Sequence, residues 1–163
     1  MSIIILNWNT RDLLVECLLS AGKQAGDLEI ELIVVDNAST DDSLTLLRRD
    51  FPQVKVVASS VNVGYAAGNN LGVREARGRY FLLLNTDAFL EPGALSKMVT
   101  LLDSSPDAGL CGARLINRDG SFQASHTSFP SLAREFLVRS GWGRLLNGRH
   151  YPSRGPDRAR GPR

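Results

Sequence analysis

The chain has 163 residues, enough for one compact domain, and its apolar content of 43% is ordinary for a globular protein. Its formal net charge is +2, but six arginines and one aspartate give residues 141–163 a net charge of +5, which leaves −3 for residues 1–140. A mildly acidic main part argues against a nucleic-acid partner. The two cysteines form no Cys-x-x-Cys pair and no histidine cluster accompanies them, which argues against a zinc site.

Apolar strand-like runs alternate with helical patterns along most of the chain. The predicted strands are Ser2–Leu6, Glu31–Val35, Val54–Ala58, Arg79–Leu84 and Ala108–Ile116. Helices are predicted between them, because apolar residues such as Leu14, Cys17 and Leu18 recur there at helical spacing. This β-α order predicts an α/β fold with a mostly parallel, Rossmann-like sheet and helices on both faces.

The last third of the chain carries different signals. Asn117-Arg118-Asp119-Gly120 is a turn signal that predicts a β-hairpin with residues 121–124, and a short helix is predicted over residues 131–138. From Gly141 onward Gly, Pro and Arg dominate. We therefore predict a domain over residues 1–140 and a solvated, mobile tail over residues 141–163.

The cellular location is predicted from what the sequence lacks. No signal peptide precedes the first strand, and no apolar run approaches the roughly 20 residues that span a bilayer. These features predict a cytoplasmic protein. A second interpretation places it at the inner face of the cell membrane, with the arginine-rich tail docked on anionic lipid as a peripheral association.

The strand that leads to Asn85 is the focus of the functional prediction. An uninterrupted apolar and aromatic run over residues 80–84 predicts a strand buried on both faces. Asp87 then lies at the carboxyl edge of the sheet, where open α/β sheets bind ligands. Asn85 and Asp87 offer hard oxygens, which suit Mg²⁺ or Mn²⁺ that already carries a diphosphate. The alternative is an ordinary turn, which the same residue types form.

Other polar residues should gather at the same edge, because parallel strands all end there. They are Asn7, Asn9, Asp36, Asn37, Ser39, Ser59, Asn62, Asn85 and Asp87. The glycines that follow Asn62 (Gly64, Gly68 and Gly72) permit a close backbone approach, either to another element or to a ligand. No P-loop motif is present and no dinucleotide-binding glycine motif follows the first strand, so the pattern predicts a nucleoside diphosphate with its cation.

Four segments also carry a family resemblance. They are Ile3–Asn9, Val34–Asp41, Asn62–Asn70 and Leu82–Asp87. In this order and spacing they resemble family 2 glycosyltransferases of the GT-A fold, and among these the bacterial rhamnosyltransferase-type enzymes. The resemblance runs from Ser2 to about Leu137.

The resemblance implies inverting transfer of a sugar from a nucleotide-diphospho-sugar donor to a glycan or glycolipid acceptor in polysaccharide biosynthesis. The implied donor is a dTDP- or UDP-sugar, such as dTDP-rhamnose. By the same resemblance, Asp36 accepts the N3–H of a uracil or thymine ring, Asn85 faces the ribose, and Asp87 holds Mg²⁺ or Mn²⁺ on the diphosphate. The other residues expected to bind the donor nucleotide are Asn7, Asn9, Asn62 and Gly64.

Two departures from the family pattern affect the prediction. The usual Asp-x-Asp is Asn85-Thr86-Asp87 here, and the loss of one carboxylate should weaken metal binding. The family's Glu-Asp pair, which supplies the catalytic base, has no counterpart, because the chain contains no Glu-Asp dipeptide. We therefore predict a donor-binding half that lacks the base and is inactive alone. An incomplete sheet is also expected to expose apolar surface and to self-associate.

Alternative functions remain open from the sequence. A non-catalytic nucleotide-sugar-binding module is favoured by the missing base. A nucleotidyltransferase is disfavoured, because Asn7-Trp8-Asn9-Thr10 lacks the glycine-rich, basic loop expected after the first strand.

Trp8 and Tyr65 are expected to pack inside the protein rather than to stack on a ligand.

Overall fold

The computed structural model describes residues 1–24, 28–123, 136 and 140. The chain divides into two compact units, Met1–Cys111 and Gly112–Arg163. The predicted boundary at residue 140 remains a prediction. Apart from residues 136 and 140, the helix predicted over residues 131–138 and the predicted tail lie outside the described residues. None of the helices in the described part of the chain combines the length and apolarity needed to cross a bilayer.

In its described residues, the first unit alternates four strands with four helices. The strands are β1 (Ser2–Asn7), β2 (Glu31–Asn37), β3 (Lys55–Ser59) and β4 (Phe81–Asn85). The helices are α1 (Arg11–Gly22), α2 (Ser43–Asp50), α3 (Tyr65–Glu75) and α4 (Ala94–Asp103). The strands form one parallel sheet in the order β3-β2-β1-β4, which confirms the predicted α/β architecture.

An apolar cluster lies on each face of this sheet. The central strands β1 and β2 contribute to both clusters, because alternate residues of a strand point to opposite faces. The larger cluster joins the strands to α1, α2 and α4, and its fully buried members include Ile3, Ile5, Leu14, Val34, Leu47 and Leu95. The smaller cluster consists of Ile4, Ile33 and Val35, with Leu71 and Val73 of α3 packed against it. Helices therefore lie on both faces, as predicted.

Glycines allow α3 to lie unusually close to the sheet. A Cβ atom on Gly72 would stand 2.5 Å from Cγ2 of Ile4 and 3.0 Å from Cγ2 of Val35. A Cβ atom on Gly68 would stand 2.5 Å from Cδ1 of Leu6. These two glycines therefore serve helix–sheet packing, which is one of the two roles left open by the sequence.

The prediction that the β4 strand is buried on both faces is wrong. Leu84 is buried, whereas Phe81 and Leu83 are 50% and 46% exposed. The reason is topological, because β4 forms an edge of the sheet and α3 packs against β1 and β2 instead. Within the described residues, one face of β4 is left uncovered. Phe81, Leu83 and Asn85 are exposed and alternate along the strand, so all three lie on this face.

The fifth predicted strand, Ala108–Ile116, is also wrong for most of its length. Within this range, all of which the structure describes, only β5 (Leu115–Ile116) is a strand, and it lies in the second unit. It pairs antiparallel with β6 (Phe122–Gln123). Gly109 and Gly112 interrupt the apolar run and weaken its tendency to form a strand. Within the described part of the chain, the parallel sheet therefore has four strands, not the predicted five.

The hairpin predicted from Asn117-Arg118-Asp119-Gly120 is confirmed in the second unit. The Asn117 N–H donates to the Ser121 carbonyl over 2.8 Å, and the Gly120 N–H donates to the Asn117 carbonyl over 2.9 Å. Gly120 has a φ of 81°, a left-handed conformation that glycine adopts without the steric cost of a Cβ atom.

Candidate functional site

A pocket of about 470 Å³ lies at the carboxyl edge of the parallel sheet. It is lined by Leu6, Trp8, Thr10, Leu13, Asn37, Asn62, Gly64, Tyr65, Asn85, Thr86 and Asp87. The strand order changes direction between β1 and β4, and residues from the ends of both strands line the pocket. Open α/β sheets bind their ligands at such a switch point, so this pocket is the candidate site.

Asn85 and Asp87 both line the pocket, and Thr86 between them is 8% exposed. Among the described residues of the lining, Asp87 is the one acid. The described residues also contain no cluster of three or more His, Cys, Asp or Glu side chains that could hold a metal ion. This donor set fits a divalent cation that arrives with a diphosphate, because such a cation takes most of its oxygen ligands from phosphate and water.

Helix α1 supports the turn that carries Asp87. The Cys17 thiol lies 3.6 Å from the Asn85 carbonyl oxygen, which also accepts a hydrogen bond from the Ala88 N–H over 3.1 Å. Burial raises the pKa of the Cys17 thiol to about 12, and the negative charge of Asp87 adds to the rise. Cys17 is therefore a neutral packing group at neutral pH, not a nucleophile.

Asn7 and Asp36 form a buried pair beneath the pocket. The Asn7 Nδ2 group donates to Asp36 Oδ1 over 2.9 Å and to Ser39 Oγ over 3.1 Å. The Ser39 N–H donates to Asp36 Oδ2 over 3.0 Å. Both oxygens of the Asp36 carboxylate thus have partners within the protein, and its side chain is absent from the pocket lining. Because Asp36 is completely buried, a ligand would reach its carboxylate only if a neighbouring side chain moved.

Asn9 joins the loops that follow β1 and β2. Its Oδ1 atom accepts hydrogen bonds from the N–H groups of Thr40 over 2.7 Å and Asp41 over 3.3 Å, and its own N–H donates to Ser39 Oγ over 3.0 Å. Asn9 and Ala38 have φ values of 54° and 64°, which non-glycine residues rarely adopt. Asn9 therefore connects the two loops beside the site, but it is not among the residues that line the pocket.

Asn37 places the start of α3 beside the pocket. Its Nδ2 group donates to Asn62 Oδ1 over 2.8 Å, and its Oδ1 atom accepts from the Val63 N–H over 2.9 Å. The Gly64 N–H donates to Asn62 Oδ1 over 2.9 Å, and Gly64 has a φ of 80° immediately before Tyr65. The positive end of the α3 helix dipole therefore borders the pocket, which favours an anionic ligand there.

Several lining residues were not anticipated. Trp8 and Tyr65 are each 56% exposed and line the pocket, so the expectation that they pack inside the protein is wrong. Their positions next to Asn7 and Gly64 were the available signal, since both neighbours were expected to bind the donor nucleotide. Thr10 and Thr86 also line the pocket, although short hydroxyl residues after strands are too common to stand out.

Two solved structures share the architecture of this chain. The structure of residues 1–349 of TarS from S. aureus in complex with UDP-GlcNAc matches with a TM-score of 0.58 and 26% identity, over 64% of this chain and 31% of that one. A mannosyltransferase from Pyrobaculum calidifontis in complex with GDP-Man and Mn²⁺ matches with a TM-score of 0.57 and 27% identity, over 62% and 31%. The fold is that of the GT-A glycosyltransferases, as predicted.

The sequence comparison identifies the family. The profile described as Glycosyl transferase family 2 matches residues 2–157, and the chain belongs to this family. The chain is 32% identical over 144 residues to a chondroitin synthase from Escherichia coli, a match that covers 84% of this chain and 20% of the synthase. The chain thus spans about a fifth of the length of that relative. The rhamnosyltransferase-type specificity stays a prediction.

Proposed function

We propose that the pocket binds the nucleoside diphosphate of a nucleotide-sugar donor, and that the protein takes part in inverting transfer of the sugar to a glycan or glycolipid acceptor. One observation carries the proposal. The amides of Asn62 and Asn85, the carboxylate of Asp87 and the start of α3 border a single pocket at the switch point of the sheet. Uncharged hydrogen-bonding groups, one carboxylate and a positive helix end together suit a diphosphate that brings a cation.

The residues of the pocket have separate roles in this proposal. Trp8 and Tyr65 offer exposed aromatic faces for the base, and Asn85 faces the ribose. Asp87 would hold Mg²⁺ or Mn²⁺ together with the diphosphate, and such a cation would supply Lewis-acid stabilisation of the leaving nucleoside diphosphate. Asp36 is proposed to accept the N3–H of the base after a neighbouring side chain moves aside, and Asn7 orients its carboxylate through a hydrogen bond of 2.9 Å.

The donor is proposed to carry uracil or thymine, as in a UDP- or dTDP-sugar such as dTDP-rhamnose. The TarS structure holds UDP-GlcNAc, which supports a uridine donor, whereas the mannosyltransferase structure holds GDP-Man. Relatives with this fold thus differ in the base they bind, so the base must be measured for this protein.

The proton acceptor is proposed to lie outside the pocket described above. Inverting transfer needs a base that removes the proton of the acceptor hydroxyl, and such a base contributes roughly 10²–10⁴-fold to the rate. Asp87 is the one acid among the described lining residues, and it is assigned to the cation. We expect residues 1–163 alone to bind the donor and to transfer no sugar. The setting proposed for the reaction is polysaccharide biosynthesis at the cytoplasmic face of the membrane.

A binding assay tests this proposal. Calorimetric titration of the protein with UDP, dTDP, GDP and ADP, each with Mn²⁺ and with EDTA, should give tighter binding for UDP and dTDP and a clear gain from Mn²⁺. Absence of binding for all four nucleotides would contradict the proposal. The alternative, a non-catalytic nucleotide-sugar-binding module, is separated by a radiolabelled transfer assay on the product of the full reading frame, because that alternative predicts binding without transfer.

A further inference from the structure

The turn that carries Asp87 is tied to the end of β1 by two hydroxyl groups. Thr86 is 8% exposed, and its Oγ1 atom lies 3.0 Å from Oγ1 of Thr10. The Thr10 hydroxyl donates to Asn7 Oδ1 over 2.8 Å. Because a hydroxyl has one proton, the Thr86 hydroxyl is left to donate to Thr10.

The same series of hydrogen bonds continues to the end of β2. The Asn7 Nδ2 group donates to Asp36 Oδ1 over 2.9 Å, and Asp36 Oδ2 accepts from the Ser39 N–H over 3.0 Å. The side chains of Thr86, Thr10, Asn7 and Asp36 thus connect the ends of β4, β1 and β2. Thr86 and Thr10 line the pocket, while Asn7 and Asp36 lie completely buried beneath it.

Thr86 is the first residue after β4, where the hydrogen-bonded pairing with β1 has ended. The parallel pairing of β4 with β1 ends at Asn85, opposite Leu6, and residues 86 and 87 form a turn. Asp87 itself is exposed. The hydroxyl of Thr86 is therefore well placed to keep the turn against β1, and so to set the position of the neighbouring Asp87.

We propose that Thr86 and Thr10 are positioning residues, which hold Asp87 where it can share a cation with a bound nucleoside diphosphate. The proposal rests on the proposed function, in which Asp87 binds that cation. Substitution of Thr86 by valine keeps the size and burial of the side chain and removes the hydroxyl. The turn is then held less firmly, and the part of nucleotide affinity that depends on the cation falls, whereas the cation-independent part does not.

The experiment measures dissociation constants for UDP and dTDP by calorimetry, with Mn²⁺ and with EDTA, on the 163-residue chain. For Thr86→Val the affinity with Mn²⁺ should fall about threefold to tenfold, the usual effect of one lost hydrogen bond, and the affinity in EDTA should not change. Thr86→Ser, which keeps the hydroxyl, should behave as wild type. Thr100→Val, at an exposed position on α4, is the matched control and should have no effect.

Each outcome decides the proposal. Equal losses with Mn²⁺ and with EDTA would show a general structural role and would overturn it, as would an unchanged affinity with Mn²⁺. Thr86→Ala removes the same hydroxyl with a smaller side chain and should reproduce the Mn²⁺-specific loss, which keeps the test available if Thr86→Val fails to fold. A wild-type protein that binds no nucleoside diphosphate would instead refute the proposed function itself.

Discussion

The Nδ2 group of Asn7 donates a hydrogen bond of 2.9 Å to Oδ1 of Asp36, and both side chains are completely inaccessible to solvent. The two residues are directly opposite each other in the parallel pairing of β1 and β2. A carboxylate buried at the end of a strand is costly unless its oxygens are hydrogen-bonded. The pair therefore stabilises the sheet edge on which the pocket is built.

Loss of Asn7 should destabilise the fold. Asn7→Ala removes a donor from Asp36 and an acceptor from Thr10, and a buried polar group without a partner costs about 1–3 kcal/mol, or more when it is charged. Urea unfolding at pH 7 measures the change in the free energy of unfolding. Asn70→Ala, at an exposed position on α3, is the control, and a similar effect of both substitutions would contradict the role assigned to the buried pair.

Gly72 should resist substitution because α3 lies against the sheet there. In Gly72→Ala the new methyl group would stand 2.5 Å from Cγ2 of buried Ile4, and overpacking of this kind costs about 1–3 kcal/mol. Gly22→Ala is the matched control on α1, where an added Cβ atom meets nothing within 4 Å and the better helix propensity of alanine can add up to about 1 kcal/mol. Thermal unfolding should separate the two variants, and equal stability would refute the packing role.

Trp8 should matter for nucleotide binding more than for folding. The side chain is 56% exposed in the pocket lining, so Trp8→Ala removes little buried surface. Stacking of a base on an aromatic ring is worth about 1–3 kcal/mol, so the dissociation constant for UDP or dTDP should rise about fivefold or more. Phe81→Ala, which removes an aromatic side chain of similar exposure outside this pocket, should leave the dissociation constant unchanged.

Glu31 should make part of the stability depend on pH. Its Oε1 atom accepts hydrogen bonds from Ser2 Oγ over 2.5 Å and from the N–H groups of Arg77 over 2.5 Å and Gly78 over 3.0 Å. The hydrogen bond from Ser2 is the largest influence, and the pKa of Glu31 lies below its ordinary value of 4.5 although burial acts in the opposite direction. A carboxyl group whose pKa is lowered by folding stabilises the protein fully above its unfolded pKa, and this contribution is lost as the pH falls through the folded pKa.

The corresponding test compares wild type with Glu31→Gln by urea unfolding between about pH 6 and pH 3. The wild type should be the more stable protein at pH 6, and the difference should shrink as the pH falls. Ser2→Ala, which removes the hydroxyl donor, should reduce the same pH dependence. A difference that stays constant over the whole range would show that the charge of Glu31 has no part in stability.

Most of the fold could be predicted from the sequence because its signals are local. The β-branched run of β2 and the helical spacing of Leu14, Cys17 and Leu18 in α1 each specify one element. The burial of β4 could not be predicted in the same way. An apolar run does not reveal whether its strand lies in the centre or at the edge of a sheet, and Phe81 and Leu83 are exposed because of that position.

The structure places some of the predicted site residues around one pocket and others away from it. Polar residues at the ends of parallel strands must share one edge, and Asn62, Asn85 and Asp87 do line one pocket. Which of two consecutive residues faces a ligand depends on the register and on the loops. Asp36 is enclosed by its own partners while Asn37 reaches the pocket, and nothing in the local sequence distinguishes them.

The most direct test of the central claim is the Mn²⁺ dependence of nucleoside diphosphate binding in wild type and in Asp87→Asn. Asp87→Asn keeps the shape of the side chain and removes its charge, and the loss of one charged partner is worth roughly 1.5–3 kcal/mol. Titration calorimetry should show that Mn²⁺ strengthens binding of UDP or dTDP to wild type, that most of this gain is lost in Asp87→Asn, and that Asp107→Asn, an exposed aspartate outside the pocket lining, retains it. An equal gain from Mn²⁺ in wild type and in Asp87→Asn would contradict the account.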